Sequence, residues 1–190
     1  VAISAEYWGR VENNKFGVAL VTNGPGATNT LTSVAGAYIE SIPMLILSGQ
    51  VKSTDYQSQK SLRQTGVQEV ATLSMAEPIT KYQAVITAPN QIKSTLDRAI
   101  IEMLEGRKGP VWIEVPLDIQ GSKYSELEQI QIPKKNKKYS EIENINLEEW
   151  APIISSKERI VLLAGQGVRL DNAVKELNNF IEENKIISVS

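Results

Sequence analysis

The residues of this chain best placed to do chemistry are small ones. An apolar run, Phe16-Gly17-Val18-Ala19-Leu20-Val21, enters the turn Gly24-Pro25-Gly26, and a helix pattern rich in Ala, Gly, Ser and Thr follows. Such a turn puts bare backbone at the C-terminal end of a strand. Pro25 fixes its φ, and Gly24 and Gly26 carry no side chain to hold a ligand off. Spacing alone fits both a ligand-facing βα loop and a plain tight turn. The chain has no histidine and no cysteine. Within it there is no imidazole base, no thiol nucleophile, no Ser-His-Asp triad and no zinc site of the ordinary ligand types. If this is an enzyme, a cofactor must carry the difficult step.

The elements that would position this turn read as alternating helices and strands. Residues 1–10 form a helix pattern with one apolar face and no N-cap before it. Strand 16–22, a helix over 28–40 and the apolar run Met44-Leu45-Ile46-Leu47-Ser48-Gly49 come next, the last reading as a buried parallel strand. Residues 52–66 are polar and aperiodic, and a connection of that length is often functional. Strand 80–86, a helix over 91–105 with Ile92, Leu96, Ile100, Met103 and Leu104 near one face, and strand 111–115 complete the unit. Residues 122–146 lose any hydrophobic face and read as a linker. The run Lys134-Lys135-Asn136-Lys137-Lys138 within them is flanked by Glu126, Glu128, Glu141 and Glu143, which fits a solvated surface better than a polyanion site. A second strand–turn–helix–strand pattern starts near 147, with the turn Gly165-Gln166-Gly167. As a dinucleotide fingerprint that turn is weak, because Leu170 stands where G-x-G-x-x-G needs its third glycine.

Composition sets the broad class. Hydrophobic residues make up 42% of the 190, enough for a buried core, and a net charge of −2 gives no electrostatic reason to expect nucleic acid or an anionic membrane as partner. No apolar stretch approaches the ~20 residues that span a bilayer. Glu6, Arg10 and Glu12 interrupt any leader-like run, so a cytoplasmic location is the expectation.

The stretch GVALVTNGPGATNTLTSVAGAYIESIPMLILSGQV at 17–51 resembles the pyrimidine-binding domain of thiamine-diphosphate (ThDP) enzymes, particularly the acetolactate synthase large-subunit group. AEYWGR at 5–10, LRQTGVQE at 62–69, PITKY at 78–82 and GRKGPVWIEVPLDIQ at 106–120 agree with it in order. The resemblance covers nearly all of 1–122 and, more weakly, 147–190. It implies an α/β fold, a three-layer parallel sheet flanked by helices, followed by the beginning of a second, Rossmann-like α/β domain. The domain expectation is then 1–122 pyrimidine-binding and lacking its first elements, 123–146 linker, and 147–190 the start of a central domain.

The resemblance also implies roles. Pro25 matches a position that contacts the aminopyrimidine half of ThDP, with Thr22, Gly24, Gly26 and Asn29 lining the same region. Gln68 falls where the family has a glutamine reaching the active site of a neighbouring subunit; read from the residues alone, Gln68-Glu69 is a helix-start pair. Lys81 matches a lysine near the substrate channel, with an exposed strand-end lysine as the alternative. Arg107 aligns with an arginine that contacts FAD in flavin-bearing members; its other role is a cation near the end of helix 91–105. Gly165 and Gly167 lie at a family flavin turn, or form only a tight βα turn. The family's catalytic glutamate would stand about three residues before Val1, keeping helix register.

The implied activity is decarboxylation of a 2-keto acid such as pyruvate on ThDP, after which the remaining carbon unit is added to a second carbonyl compound. Mg²⁺ would be held in a later domain, FAD is a further possible cofactor, and the active site would form between subunits of a homo-oligomer, so that this segment alone is inactive. Apolar surface on helices 1–10 and 28–40 is the expected dimer contact. Lys52, Ile3, Tyr7-Trp8-Gly9 and Gln64-Thr65-Gly66-Val67-Gln68-Glu69 depart from the biosynthetic pattern and leave donor and acceptor open. Two rivals stand beside this reading: a non-catalytic homologue serving as a binding or assembly module, and a nucleotide-binding protein built on the Gly165 turn.

Overall fold

The computed structural model describes residues 1–11, 15–56, 62–123 and 147–189. The linker expected at 123–146, most of the polar turn at 12–15 and the middle of the 52–66 loop lie outside the described residues. The chain divides near residue 136 into two compact units.

The first unit is an α/β fold around a four-stranded parallel sheet. In chain order it comprises α1 (Ala2–Val11), β1 (Gly17–Val21), α2 (Pro25–Thr28), α3 (Leu31–Ile39), β2 (Met44–Gln50), α4 (Ser53–Tyr56), α5 (Thr72–Ala76), β3 (Tyr82–Val85), α6 (Ile92–Leu104), β4 (Pro110–Pro116) and α7 (Leu117–Gln120). The strands lie in the order β1-β2-β4-β3, all parallel, with Met44 of β2 opposite Gly17 and Pro110. Alternation along the strands assigns each side chain a face. Ala19, Met44, Ile46 and Trp112 turn toward one side and pack with Ala2 and Ala5 of α1, Val34 and Ala37 of α3, and Ala76 of α5. Leu45, Val111 and Ile113 turn to the other and meet Ala99, Ile100 and Met103 of α6. Because both faces are covered, β2 and β4 are apolar along most of their length rather than alternating.

α1 lies very close to the sheet. A Cβ on Gly17 would sit 1.8 Å from the Ala5 carbonyl oxygen, and one on Gly9 would sit 2.5 Å from that of Pro43. Ala2, Ala5 and Gly9 form the buried stripe that makes this approach possible. The opposite face of α1 carries Ile3, Tyr7, Trp8 and Val11, all exposed, as are Tyr38 and Ile39 of α3.

The helix expected over 28–40 begins earlier, at Pro25, and breaks at Asn29-Thr30 before α3. Pro25 takes the first helical position, where its missing N–H is not needed. The connection expected as aperiodic over 52–66 opens with a short helix, α4, and α5 follows beyond it before the third strand. Neither has the length for a periodic signal to emerge.

The second unit holds α8 (Leu147–Ser155), β5 (Val161–Leu163), α9 (Gln166–Leu170), α10 (Val174–Asn184) and β6 (Ile187–Val189). β5 and β6 pair in parallel. The helix expected after the Gly165-Gln166-Gly167 turn is α10, and the turn itself leads into the short α9; Asn172, at φ 59°, lies between the two. Lys185 ends α10 in the left-handed conformation, where its N–H reaches the Ile181 carbonyl.

Candidate functional site

The C-terminal ends of β1, β2 and β4 open into a cleft of about 770 Å³, roofed by the segment around residues 66–68. This is where open parallel sheets place their ligands, because the loops diverge there and leave a crevice. Thr22, Asn23, Gly49, Gln50, Gln68 and Gln120 are among its lining residues, so carboxamides, a hydroxyl and backbone meet there, with Lys52 and Asp55 as its charged groups.

The roof is held down at several points. Asn23 Nδ2 donates to the Val67 carbonyl at 2.9 Å. Glu69 Oε2 accepts the N–H groups of Thr65 and Gly66 at 2.6 and 2.9 Å, folding the segment back on itself. Gly24 has φ 60°, and a Cβ there would come within 2.3 Å of the Gln68 carbonyl oxygen. The glycine is therefore required twice, for its backbone conformation and for the approach of the roof. Gln68 itself has φ 57°, a left-handed conformation that costs a non-glycine residue about 1–2 kcal/mol. Strain of this kind persists where the surroundings over-determine it. The pair Gln68-Glu69 does not start a helix; α5 begins only at Thr72, and Glu69 is occupied with the two backbone amides.

Below the roof lies a buried polar cluster. Glu114, fully buried in β4, accepts from Gln50 Nε2 at 3.2 Å through Oε2, and its Oε1 has no hydrogen-bond partner among the described residues. Burial pushes the Glu114 carboxyl up to about 7, against the opposing effect of hydrogen bonds from Gln50 and Tyr56. Tyr56 is raised in turn, first by burial and then by the negative charge of Glu114 and Glu69. Gln50 also donates to the Val70 carbonyl at 3.4 Å and accepts the Val51 N–H at 2.9 Å. Ser48 accepts the Trp112 indole N–H at 2.8 Å, so the one polar atom of the largest buried side chain is satisfied.

Of the residues expected at a site, Thr22 and Gln68 line the cleft and Gly24 supports its roof. Pro25, Gly26 and Asn29 form the helical turn beside it and are not among the lining residues; a Cβ on Gly26 would sit 2.4 Å from Thr22 Cγ2, which places that glycine's role in packing. Lys81 is elsewhere. It precedes β3 at the N-terminal edge of the sheet, and its Nζ donates to the Glu105 carbonyl at 2.7 Å. Desolvation lowers its pKa, opposed by Glu102 and Glu105. Arg107 is at that same edge. Its Nε donates to Ser41 Oγ at 2.6 Å and its guanidinium reaches the Ile39 carbonyl at 3.2 Å. The helix end it completes is therefore that of α3, rather than that of helix 91–105. Gly165 is the residue before α9 in the second unit; neither it nor Gly167 has anything within 4 Å of an added Cβ.

Gln50, Tyr56, Asn23 and Glu114 were not anticipated. The signal for Glu114 was present in the sequence, as a lone carboxyl inside the apolar run Val111-Trp112-Ile113-Glu114-Val115. Among the described residues no group of acidic, histidine or cysteine side chains could hold a metal, and no helix is long and apolar enough to cross a membrane.

Comparison with known proteins agrees with the α/β fold of the first unit. Residues 1–75 match the family model described as thiamine pyrophosphate enzyme, N-terminal TPP binding domain. The chain is 35% identical over 179 residues to the probable acetolactate synthase large subunit of Methanocaldococcus jannaschii, which covers 92% of this chain and 29% of that protein. It is 31% identical over 180 residues to the acetolactate synthase large subunit of Lactococcus lactis, covering 94% and 30%. Against the isozyme 1 large subunit of Escherichia coli it is 30% identical over 156 residues, covering 82% and 26%. The chain thus spans less than a third of the length of these relatives.

Proposed function

Residues 1–75 belong to the thiamine pyrophosphate enzyme N-terminal domain family, and on that premise we propose that the chain supplies the pyrimidine-binding part of a ThDP-dependent 2-keto acid decarboxylase or carboligase resembling acetolactate synthase. The observation that carries the reading is the cleft over β1, β2 and β4, with Thr22 and Gln68 on its walls and the Gly24 turn pressed against Gln68. Its volume suits a heterocycle, and pockets of this kind hold a small number of placed polar groups to fix orientation. The carboxamides and backbone of its wall suit a hydrogen-bonding ring.

When bound, ThDP supplies the electron sink for decarboxylation and carbon–carbon bond formation. The protein's part is to orient and enclose. Thr22 and Asn23 present the strand-end backbone, Gln68 closes from above, and Gln50 and Gln120 form the inner wall. Mg²⁺ is proposed to lie with the diphosphate outside these residues, and the donor to be of the pyruvate type. The domain organisation proposed is a pyrimidine-binding unit to 122, a linker, and from 147 the start of a central α/β domain. Assembly as a homo-oligomer is supported by the exposed apolar face of α1 and α3. A FAD role for Arg107 would require it to leave Ser41 and the α3 terminus.

The test is calorimetric titration of ThDP and Mg²⁺ into the chain in its full-length protein, followed by pyruvate turnover with and without FAD, reading CO₂ and acetolactate. Binding with acetolactate formation supports the proposal. Binding with no pyruvate turnover redirects it to another keto acid, and absence of ThDP binding overturns it.

A further inference from the structure

A fully buried carboxyl needs a reason, because a leucine would fill the same sheet position without desolvating an acid. Glu114 has as register neighbours Ser48 and Val85, neither of which titrates, and no basic side chain among the described residues pairs with it. It is hydrogen-bonded by the Gln50 amide and by Tyr56, and that amide in turn touches the Val70 carbonyl, two residues beyond Gln68. The other end of the Gln50 side chain accepts the Val51 N–H, and Val51 is the residue on which Gly66 rests: a Cβ there would fall 2.3 Å from Val51 Cγ1. From β4 through Gln50, hydrogen bonds therefore reach the Val70 end of the roof segment, and packing of Val51 against Gly66 reaches the other.

We propose that Glu114 is a positioning residue for the cleft: acting through Gln50, it ties the end of β2 to segment 66–70 and so fixes where Gln68 stands over the ligand space. An acid is suited to the task because, as the protonated form, it accepts from Gln50 with one oxygen and retains a proton of its own to give. Gln68 could not hold a left-handed conformation against a freely moving segment, and Gly24 needs the Gln68 carbonyl in place to be packed at all. Ionisation of Glu114 leaves a buried negative charge with Oε1 unpartnered, and the relief available is entry of water from the cleft that Gln50 lines. The titratable groups acting on this cluster are Tyr56 and, through Tyr56, Glu69. The bearing on ligand capture rests on the ThDP reading above, whereas the tether does not, so the two can fail separately.

Amide hydrogen exchange tests the tether directly on the chain. Protection is read at Thr65 and Gly66 in the roof, with Leu20 and Leu47 in the strand ladder as a control for folding. Glu114→Leu and Gln50→Leu are each expected to accelerate roof exchange about tenfold, the equivalent of one lost hydrogen bond. Glu114→Gln, which retains an acceptor for Gln50, is expected to leave it unchanged. After correction for base catalysis, wild-type roof protection should fall above a pH of about 7 while that of Glu114→Gln stays flat. If Glu114→Leu loses ladder protection as well, Gln50→Leu decides. Unchanged roof exchange in Gln50→Leu, or equal acceleration in Glu114→Gln and Glu114→Leu, overturns the proposal. ThDP titration into the same variants then asks whether a loosened roof weakens binding.

Discussion

Replacing Glu114 by glutamine should stabilise the first unit, and by an amount that grows with pH. The carboxyl titrates near 7 when folded, against 4.5 when free in the unfolded chain. Between those values the folded state binds the extra proton, so stability falls as pH rises through that window and levels off above it. A single group with these two constants contributes a loss of about 0.8 kcal/mol at pH ~5 and about 3.4 kcal/mol at pH ~8, and the difference is about 2.5 kcal/mol. Glutamine is isosteric, keeps an acceptor for Gln50 and has no proton to lose, so its contribution is flat. The measurement is urea unfolding of both proteins across this range, followed by the fluorescence of Trp112, which is fully buried, while Trp8 and Trp150 are half exposed. Every other titrating group is common to the two proteins and cancels in their difference. A difference that does not widen between pH ~5 and ~8, or that widens in the other direction, would refute the argument that the buried carboxyl is held in its acid form.

Two further outcomes follow from contacts described above. Gly17→Ala should destabilise the first unit by about 1–3 kcal/mol or prevent its folding, because the added methyl would overlap the Ala5 carbonyl and α1 would have to lift from the sheet; thermal unfolding measures this. Arg107→Ala should lower stability by about 1 kcal/mol through loss of its bonds to Ser41 and the α3 terminus, with ThDP affinity unchanged; a drop in affinity without a drop in stability would place Arg107 in ligand binding instead.

The sheet was legible because its strands announce themselves. Met44 to Gly49 and Val111 to Val115 are short, apolar and bounded by turn residues, and both proved to be central strands buried on two faces. The Gly-Pro-Gly turn likewise marked the C-terminal end of β1, where the cleft opens. What could not be read was distance. Nothing in Arg107 names its partner: Ser41 precedes β2, 66 residues away, and the two meet because β4 runs beside β2. Gln68 looked like a helix start because Gln-Glu before an apolar run commonly is one, and only the approach of Gly24 from 44 residues away explains its left-handed backbone. Gln50 and Glu114 are 64 residues apart, and their meeting depends on the β2–β4 register. A sequence shows a lone carboxyl in an apolar strand but not the amide that waits opposite it.

The two edges of the parallel sheet have come to serve different masters. At the edge where the strands begin, Lys81 and Arg107 are spent on the carbonyls of Glu105 and Ile39, closing helices and locking layers together. At the edge where the strands finish, hydroxyl and carboxamide groups line the cleft beside Lys52 and Asp55, and the bond Asn23 makes reaches the roof rather than the layers beneath. Changes at Thr22, Asn23 or Gln120 therefore reshape the cleft while the framework stays as it is, and a library randomised at those three positions should retain a much larger folded fraction than one randomised at Ser41, Lys81 and Arg107.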